Sequence, residues 1–286
     1  MTRGEIQKGL KDLGLRTGDH VLVHSSLSSL GRVEGGADAI IDAFLDVLEP
    51  DGTLVVPIFG DLGLITERVQ ARPNAVKSIH PRAAVAAIGG KAEEICRDHW
   101  KAEMAHTEDT PYVRIAGLGG YVCLLGVDQD RSTTLHTVES MLRLPYLNTT
   151  PEVTFETPEG EVTRSWDYFP GPHRDFIGLD GLLRRGGILK IARIGRSVVR
   201  LMKSREMLSF LLEYGKTHPD FALCDNPNCA ACIEQRANLK RARWKAEDFH
   251  LVASASLAGR YIPEMIERCL SVGIQEIELD AIQGLP

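Results

Sequence analysis

Apolar positions along this chain follow two rhythms, and the switches between them mark the elements. Short unbroken runs read as buried strands: His20–His24, Thr53–Pro57, Val122–Leu125 and Ile188–Ile194. Stripes at three- and four-residue spacing read as helices: residues 3–14 carrying Ile6, Leu10 and Leu13, and residues 37–48 carrying Ile40, Ile41, Phe44, Leu45 and Leu48. Glu49-Pro50-Asp51-Gly52 stops the second helix, and a strand follows it at once. That strand–helix–strand order predicts a parallel pair with a right-handed crossover. Further on, residues 60–80 read as irregular and the alanine-rich 82–99 as a helix interrupted at Gly89-Gly90. Residues 149–164 read as a hairpin about Pro158-Glu159-Gly160-Glu161, and 197–215 as a helix with a break near Ser204. A charged helix is expected over 233–247, then a strand at 250–253, a helix at 261–272 and a strand at 276–279. The fold class expected is α/β, with a mixed, largely parallel central sheet flanked by helices.

Composition narrows this picture. The chain has 286 residues, enough for one large domain or two modest ones. A net charge of −6 and a pI near 5.9 remove the broad basic field that nucleic-acid binding needs. No apolar run approaches the ~20 residues of a membrane span, and no secretory signal opens the chain, so a cytoplasmic protein is expected. Of the six cysteines, Cys96, Cys123 and Cys269 sit among apolar neighbours.

Chemistry concentrates in residues 122–139. An apolar strand ends at Gly126, polar residues follow, and a helix stripe resumes at Leu135, Val138 and Leu142 with Ser132 or Thr133 as its N-cap. His136 and Glu139, three apart, share a face of that helix. A carboxylate beside an imidazole orients the ring and supports its charged form, and Glu139 or an aspartate just ahead of the helix can serve. Alone, such a pair is more often an ordinary surface contact.

Three other segments carry a chemical and a plain reading side by side. Ser25–Gly31, rich in hydroxyls and small residues, suits phosphate or a narrow chain, or is a mere connection. It holds neither G-x-G-x-x-G nor a Walker lysine. Lys77, His80 and Arg82 form a local basic island that can meet an anion or only water. Cys224-x4-Cys229-x2-Cys232 is half of a zinc knot, with His218 or Cys269 as completing ligands, or a loop of reduced thiols. No Gly-x-Ser-x-Gly elbow occurs, which weighs against a serine hydrolase.

Four segments in order resemble the aminoglycoside 3-N-acetyltransferase family: residues 21–59, 78–95, 124–139 and, most loosely, 195–210. Asp130, Thr133, His136 and Glu139 occupy the positions of that family's Gly-Val-x2-Asp-x2-Thr-x2-His-x2-Glu motif. The resemblance implies acetyl transfer from acetyl-CoA to an amine. His136 would deprotonate the amine, supported by Glu139 and Asp130, with Thr133 beside them. The cofactor would pass His24, Ser25, Ser26 and Leu27 and reach Arg32, Val33, Lys77 and Thr110. Amides of Ser25–Leu27, or the hydroxyl of Thr110 or Thr133, would donate to the developing oxyanion.

The sequence departs from the family pattern at Lys77-Ser78, where an arginine is usual before the serine, and at Thr110-Pro111, where Ser-Pro is usual. Residues after 150 match poorly, so the acceptor is expected to be a small cationic amine, either an aminoglycoside or another amine unrelated to resistance. No resident metal is implied. The expected organisation is an acetyltransferase-like α/β domain over 1–215, including a smaller α+β acceptor-side portion, and an extension over 216–286 packed on it. A second copy of the chain is an expected partner still to be tested.

Overall fold

The computed structural model describes residues 1–60, 62–145, 148–149, 151–168 and 176–242. The strands expected at 250–253 and 276–279, the helix at 261–272 and Cys269 lie outside the described residues, as does the turn-rich stretch beyond Tyr168.

In chain order the elements are α1 (Arg3–Leu13), β1 (His20–Ser25), α2 (Gly36–Leu48), β2 (Thr53–Pro57), α3 (Leu64–Gln70), β3 (Val76–Lys77), β4 (Val85–Gly89), α4 (Ala92–Cys96), α5 (Pro111–Gly117) and β5 (Tyr121–Leu125). They continue with α6 (Thr134–Met141), β6 (Asn148–Thr149), β7 (Val153–Thr157), β8 (Gly160–Arg164), β9 (Asp167–Tyr168), α7 (Leu179–Arg185), β10 (Leu189–Ile194), β11 (Ser197–Lys203) and α8 (Ser204–Thr217). Single 3-10 turns cover Leu27–Leu30 and Gln129–Arg131.

Seven strands form one sheet in the order β10-β11-β5-β1-β2-β4-β3. Its centre is parallel, β1 pairing with both β2 and β5. Antiparallel pairs flank it, so β11 and β4 run against the other five. The mixed central sheet expected from the sequence is therefore present, with its parallel pairs confined to β5-β1-β2. Strand alternation divides the core. Val21, Val23, Leu54 and Val56 pack under Ile6, Leu10, Ile40 and Phe44 of α1 and α2. Leu22, Val55 and Val85 face Ile95 and Ile115 of α4 and α5. Val122, Leu124 and Met202 face Leu135, Leu183 and Leu211 of α6, α7 and α8. Each such side chain contributes roughly 1.5–3 kcal/mol on leaving water.

Three expectations change. Residues 85–89 are a strand, not part of a helix: Val85–Ile88 are buried and lie between β2 and β3. Burial on both faces and two ladders of hydrogen bonds override the helix preference of alanine. Residues 197–203 are likewise a strand, because β10 and β5 pair with both of its edges, and the helix begins only at Ser204. The irregular stretch 60–80 holds α3 and β3.

The chain divides into a compact unit over Met1–Cys224 and a second over Asp225–Pro286. In the second unit the described part is a turn and a helix over 230–242.

Candidate active site

The parallel strands β1 and β5 end side by side, and the ladder continues one step past them, Ser26 N–H donating to Leu125 O at 2.9 Å. Both loops leaving these strands therefore start at one edge of the sheet, where such folds hold ligands. Gly126 allows the close approach. Its φ is +72°, and a Cβ there would lie 1.7 Å from Ser29 Oγ and 2.2 Å from Ser197 Oγ. Ser29 Oγ also donates to Ser26 O at 2.7 Å and meets Ser197 Oγ at 2.8 Å, tying the serine loop to β11.

A cavity of about 940 Å³ opens at this edge. One wall is the serine loop, His24 through Ser28; the opposite wall is Val127, Asp130–Thr133 and His136; α3 contributes Leu64–Thr66. Its volume suits a small-molecule site. His136 is 26% exposed and fronts the cavity, while Glu139 is completely buried behind it. The ring's Nδ1–H donates to Glu139 Oε2 at 2.8 Å. That fixes the tautomer, so Nε2 is the ring nitrogen able to take a proton. Phe176 presents an edge to the ring at 5.1 Å.

Four more histidines lie buried around it. His24 fronts the cavity from β1, and its pKa is pushed down to about 3 by burial and then by the nearby His136. His24 Nε2 has no hydrogen-bond partner among the described residues. His106, ring centroid 5.8 Å from His136, is held well below its ordinary pKa by burial and by that neighbour. His80 and His99 stack at 4.6 Å, with Trp166 on the far side of His80. Burial, followed by Arg164 and Arg82, brings His80 to about 4, and burial likewise lowers His99. His80 Nδ1 accepts from the amides of Arg82 and Ala83, both at 3.1 Å. His80 is therefore a neutral core residue, not a member of a basic island.

The structure brings most of the sequence-predicted residues together. His136, Asp130, Thr133, His24, Ser25, Ser26 and Leu27 line one cavity. Asp130 pairs with Arg131 at 3.3 Å, so the contact to the imidazole comes from Glu139. Thr133 precedes α6 with helical backbone angles (φ −57°, ψ −30°) and makes no side-chain cap bond, so the expected capping role is not seen. Arg32, Val33, Lys77 and Thr110 are not on the cavity wall. Arg32 is exposed and its carbonyl accepts from the N-terminal amine at 2.9 Å; Val33 packs on the α1–α2 core. Lys77 stands exposed on β3 at the sheet's far edge. Thr110 is buried, its hydroxyl committed to Thr107 O at 2.7 Å. With Ser26 N–H and Thr110 both committed, Thr133 is the hydroxyl of that expected set on the cavity wall.

The cations on the wall are Arg82 and Arg131 instead. Arg82 is the member of the expected basic island that does reach the cavity, whereas Arg131 lies within the motif and nothing in its spacing marked it as a cavity residue. Nor did any local pattern mark His106, Phe59 or the start of α3, which only the fold carries to this edge. Of the cysteines proposed for metal, Cys224 and Cys232 are buried and Cys229 is half-buried. Among the described residues no helix is long and apolar enough to cross a membrane.

Comparison with known proteins gives a consistent outcome. The family pattern described as aminoglycoside 3-N-acetyltransferase matches residues 22–61 and 60–215. Aminoglycoside N(3)-acetyltransferase IV from Salmonella sp. is 32% identical over 228 residues, spanning 73% of this chain and 85% of that protein. The fold superposes on a mutant of aminoglycoside acetyltransferase AAC(3)-IVa in complex with a gentamicin, with a TM-score of 0.76 and 29% identity, covering 83% of this chain and 97% of that one. A structure of AAC-IIIb with CoASH shares the fold at a TM-score of 0.69 and 24% identity, covering 76% and 97%.

Proposed function

We propose, for a chain that belongs to the aminoglycoside 3-N-acetyltransferase family, that it transfers an acetyl group from acetyl-CoA to an amine of an aminoglycoside, with His136 as general base. The observation that carries this reading is the His136–Glu139 pair at the wall of the cavity, with Nδ1 bonded to a completely buried carboxylate.

The residues fit the co-substrate. Ser25, Ser26 and Ser28 are small enough to admit a narrow acyl-carrying arm, and Arg82 and Arg131 offer charge to its phosphates. The buried ring of His24 leaves a polar group on the same wall. Acetyl-CoA, when bound, supplies an acetyl group activated as a thioester.

An ammonium cannot attack a carbonyl until it loses a proton. Once the ammonium has lost that proton, His136 Nε2 takes the next one as the C–N bond forms, and the imidazolium returns it to sulfur as the C–S bond breaks, so that the leaving group departs as a thiol. The Glu139 carboxylate, dry and 2.8 Å away, stabilises the imidazolium so made. Asp130, on the cavity wall, attracts a cationic acceptor. The hydroxyl of Thr133 supports the carbonyl oxygen.

The test is thiol release from acetyl-CoA with gentamicin and apramycin as acceptors. His136→Ala should lower kcat by about 10²–10⁴, the usual contribution of a positioned base, while CoA still binds in a titration. Near-normal turnover by that variant would remove His136 from the role. Silence of the wild-type enzyme on every aminoglycoside, with activity on another amine, would leave acetyl transfer standing and overturn the acceptor.

A further inference from the structure

A cation lies on the apolar face of the sheet. Arg200 in β11 stands opposite Leu124 of β5 and shares its face with Val122 and Met202, which pack under α6–α8. Its side chain is only 12% exposed. A guanidinium so placed loses most of its water, and three acceptors replace it. Nε donates to Asp180 Oδ2 at 2.7 Å, one terminal nitrogen to Asp128 Oδ2 at 2.6 Å, and the other to Val127 O at 3.1 Å.

The two carboxylates are joined again on their far sides. Asp128 Oδ1 accepts from the backbone N–H of Gln129 at 2.8 Å, and Asp180 Oδ1 accepts from Gln129 Nε2 at 2.9 Å. Gln129 is itself completely buried. The result is a closed ring, Arg200–Asp128–Gln129–Asp180. It pins residues 127–129 of the β5–α6 loop to the sheet and to the first turn of α7.

The loop's next four residues, Asp130–Thr133, wall the cavity, and α6 then delivers His136. Among the described residues, no hydrogen bond of the ring reaches the serine loop on the opposite wall. Burying a charge is costly unless it is paired and hydrogen-bonded, and the arginine fork, with several donors in a fixed geometry, meets two carboxylates and a carbonyl at once.

We propose that Arg200 is a positioning residue for acyl transfer, setting the register of the loop that carries Asp130 and Thr133 and the start of the His136 helix. This rests on the acetyl-transfer reading above. A loop shifted by ~1 Å costs about a hundredfold in turnover. The loss should appear in kcat and in kcat/KM for the amine, and only slightly in affinity for CoA, which would keep the serine loop and Arg82 and lose at most the contact of Arg131 on the shifted loop.

The experiment compares wild type, Arg200→Lys, Arg200→Ala and Asp180→Asn. Each is checked by thermal melt, then measured for kcat, CoA affinity and amide hydrogen exchange. The expected result is a kcat loss of about a hundredfold in Arg200→Lys, which keeps the charge but not the fork, with CoA affinity weakened by no more than about threefold, the worth of the Arg131 contact. Amides of residues 129–135 should exchange faster while those of 21–25 do not. Millimolar guanidinium should restore part of the activity of Arg200→Ala. Asp180→Asn, a milder change, should show the same split and keeps the test open if the arginine variants do not fold. Unchanged kcat and exchange in these variants overturn the proposal, as does a fall of CoA affinity in step with kcat, which marks a merely structural role. The exchange readout needs no turnover, so a wild-type enzyme inactive on every amine would sink the acetyl-transfer reading separately.

Discussion

Acidification is the perturbation that tests the buried histidines most directly. His24 and His80 keep pKa values of about 3 and about 4 in the folded protein, both through burial. In the unfolded chain each ring titrates near 6.5. Below that pH the unfolded state binds protons that the folded state refuses, so stability is whole above pH 6.5 and falls as pH drops toward the folded values. Between pH 7 and 5 each of the two withholds nearly a full proton over about 1.5 units. That amounts to ~2 kcal/mol each and about 4 kcal/mol together, at 1.36 kcal/mol per unit. His99 and His106, lowered by the same burial, add in the same sense. Against a typical total of ~5–15 kcal/mol this is a large fraction. The window lies above the range where carboxylates titrate, so they contribute little to it. Urea unfolding followed by tryptophan fluorescence at pH 7, 6 and 5 measures the slope. His80→Asn keeps an acceptor for the Arg82 and Ala83 amides and removes the titration, so its slope averaged over pH 7 to 5 should be smaller by about 1 kcal/mol per unit. Stability flat between pH 7 and 5, or an unchanged slope in that variant, would refute the reasoning.

Gly126→Ala forces a Cβ onto Ser29 Oγ and Ser197 Oγ at a positive φ. A loss of about 3 kcal/mol or more is expected, a fall of roughly 6–12 °C in a calorimetric Tm, with kcat reduced because the serine loop is displaced. Glu139→Gln keeps the shape but removes the buried charge that faces His136. Steady-state kinetics should show kcat lower by about tenfold to a hundredfold, the worth of one charged hydrogen bond, with KM for acetyl-CoA little changed. Arg82→Gln combined with Arg131→Gln should raise KM for acetyl-CoA about fivefold at low salt, because both are exposed cations of the cavity wall. That difference should shrink in about 0.5 M salt, where screening is short-ranged; a salt-independent effect would point away from phosphate contact.

What the sequence determined by itself was local. The stripes of α1 and α2, the runs of β1, β2 and β5, and the parallel pairing of β1 with β2 follow from periodicity and one short crossover. The His136–Glu139 pair was equally legible, because helical spacing alone puts the two side chains on one face. The tertiary structure decided everything that depends on partners distant in the chain. Residues 85–88 and 197–203 have no strand signature strong enough to outweigh alanine content or a helix-like stripe. They become strands because the sheet offers each of them two edges to pair with. The same holds at the site. Arg32 and Lys77 are basic and near the right motifs, yet the fold turns them away, while Arg82, Arg131 and His106 arrive at the cavity from separate loops. Arg200 joins two carboxylates 20 and 72 residues away, a ring that no local pattern can announce. Periodicity reports which face of an element is dry; only the packed chain decides which dry faces, and which charges, meet.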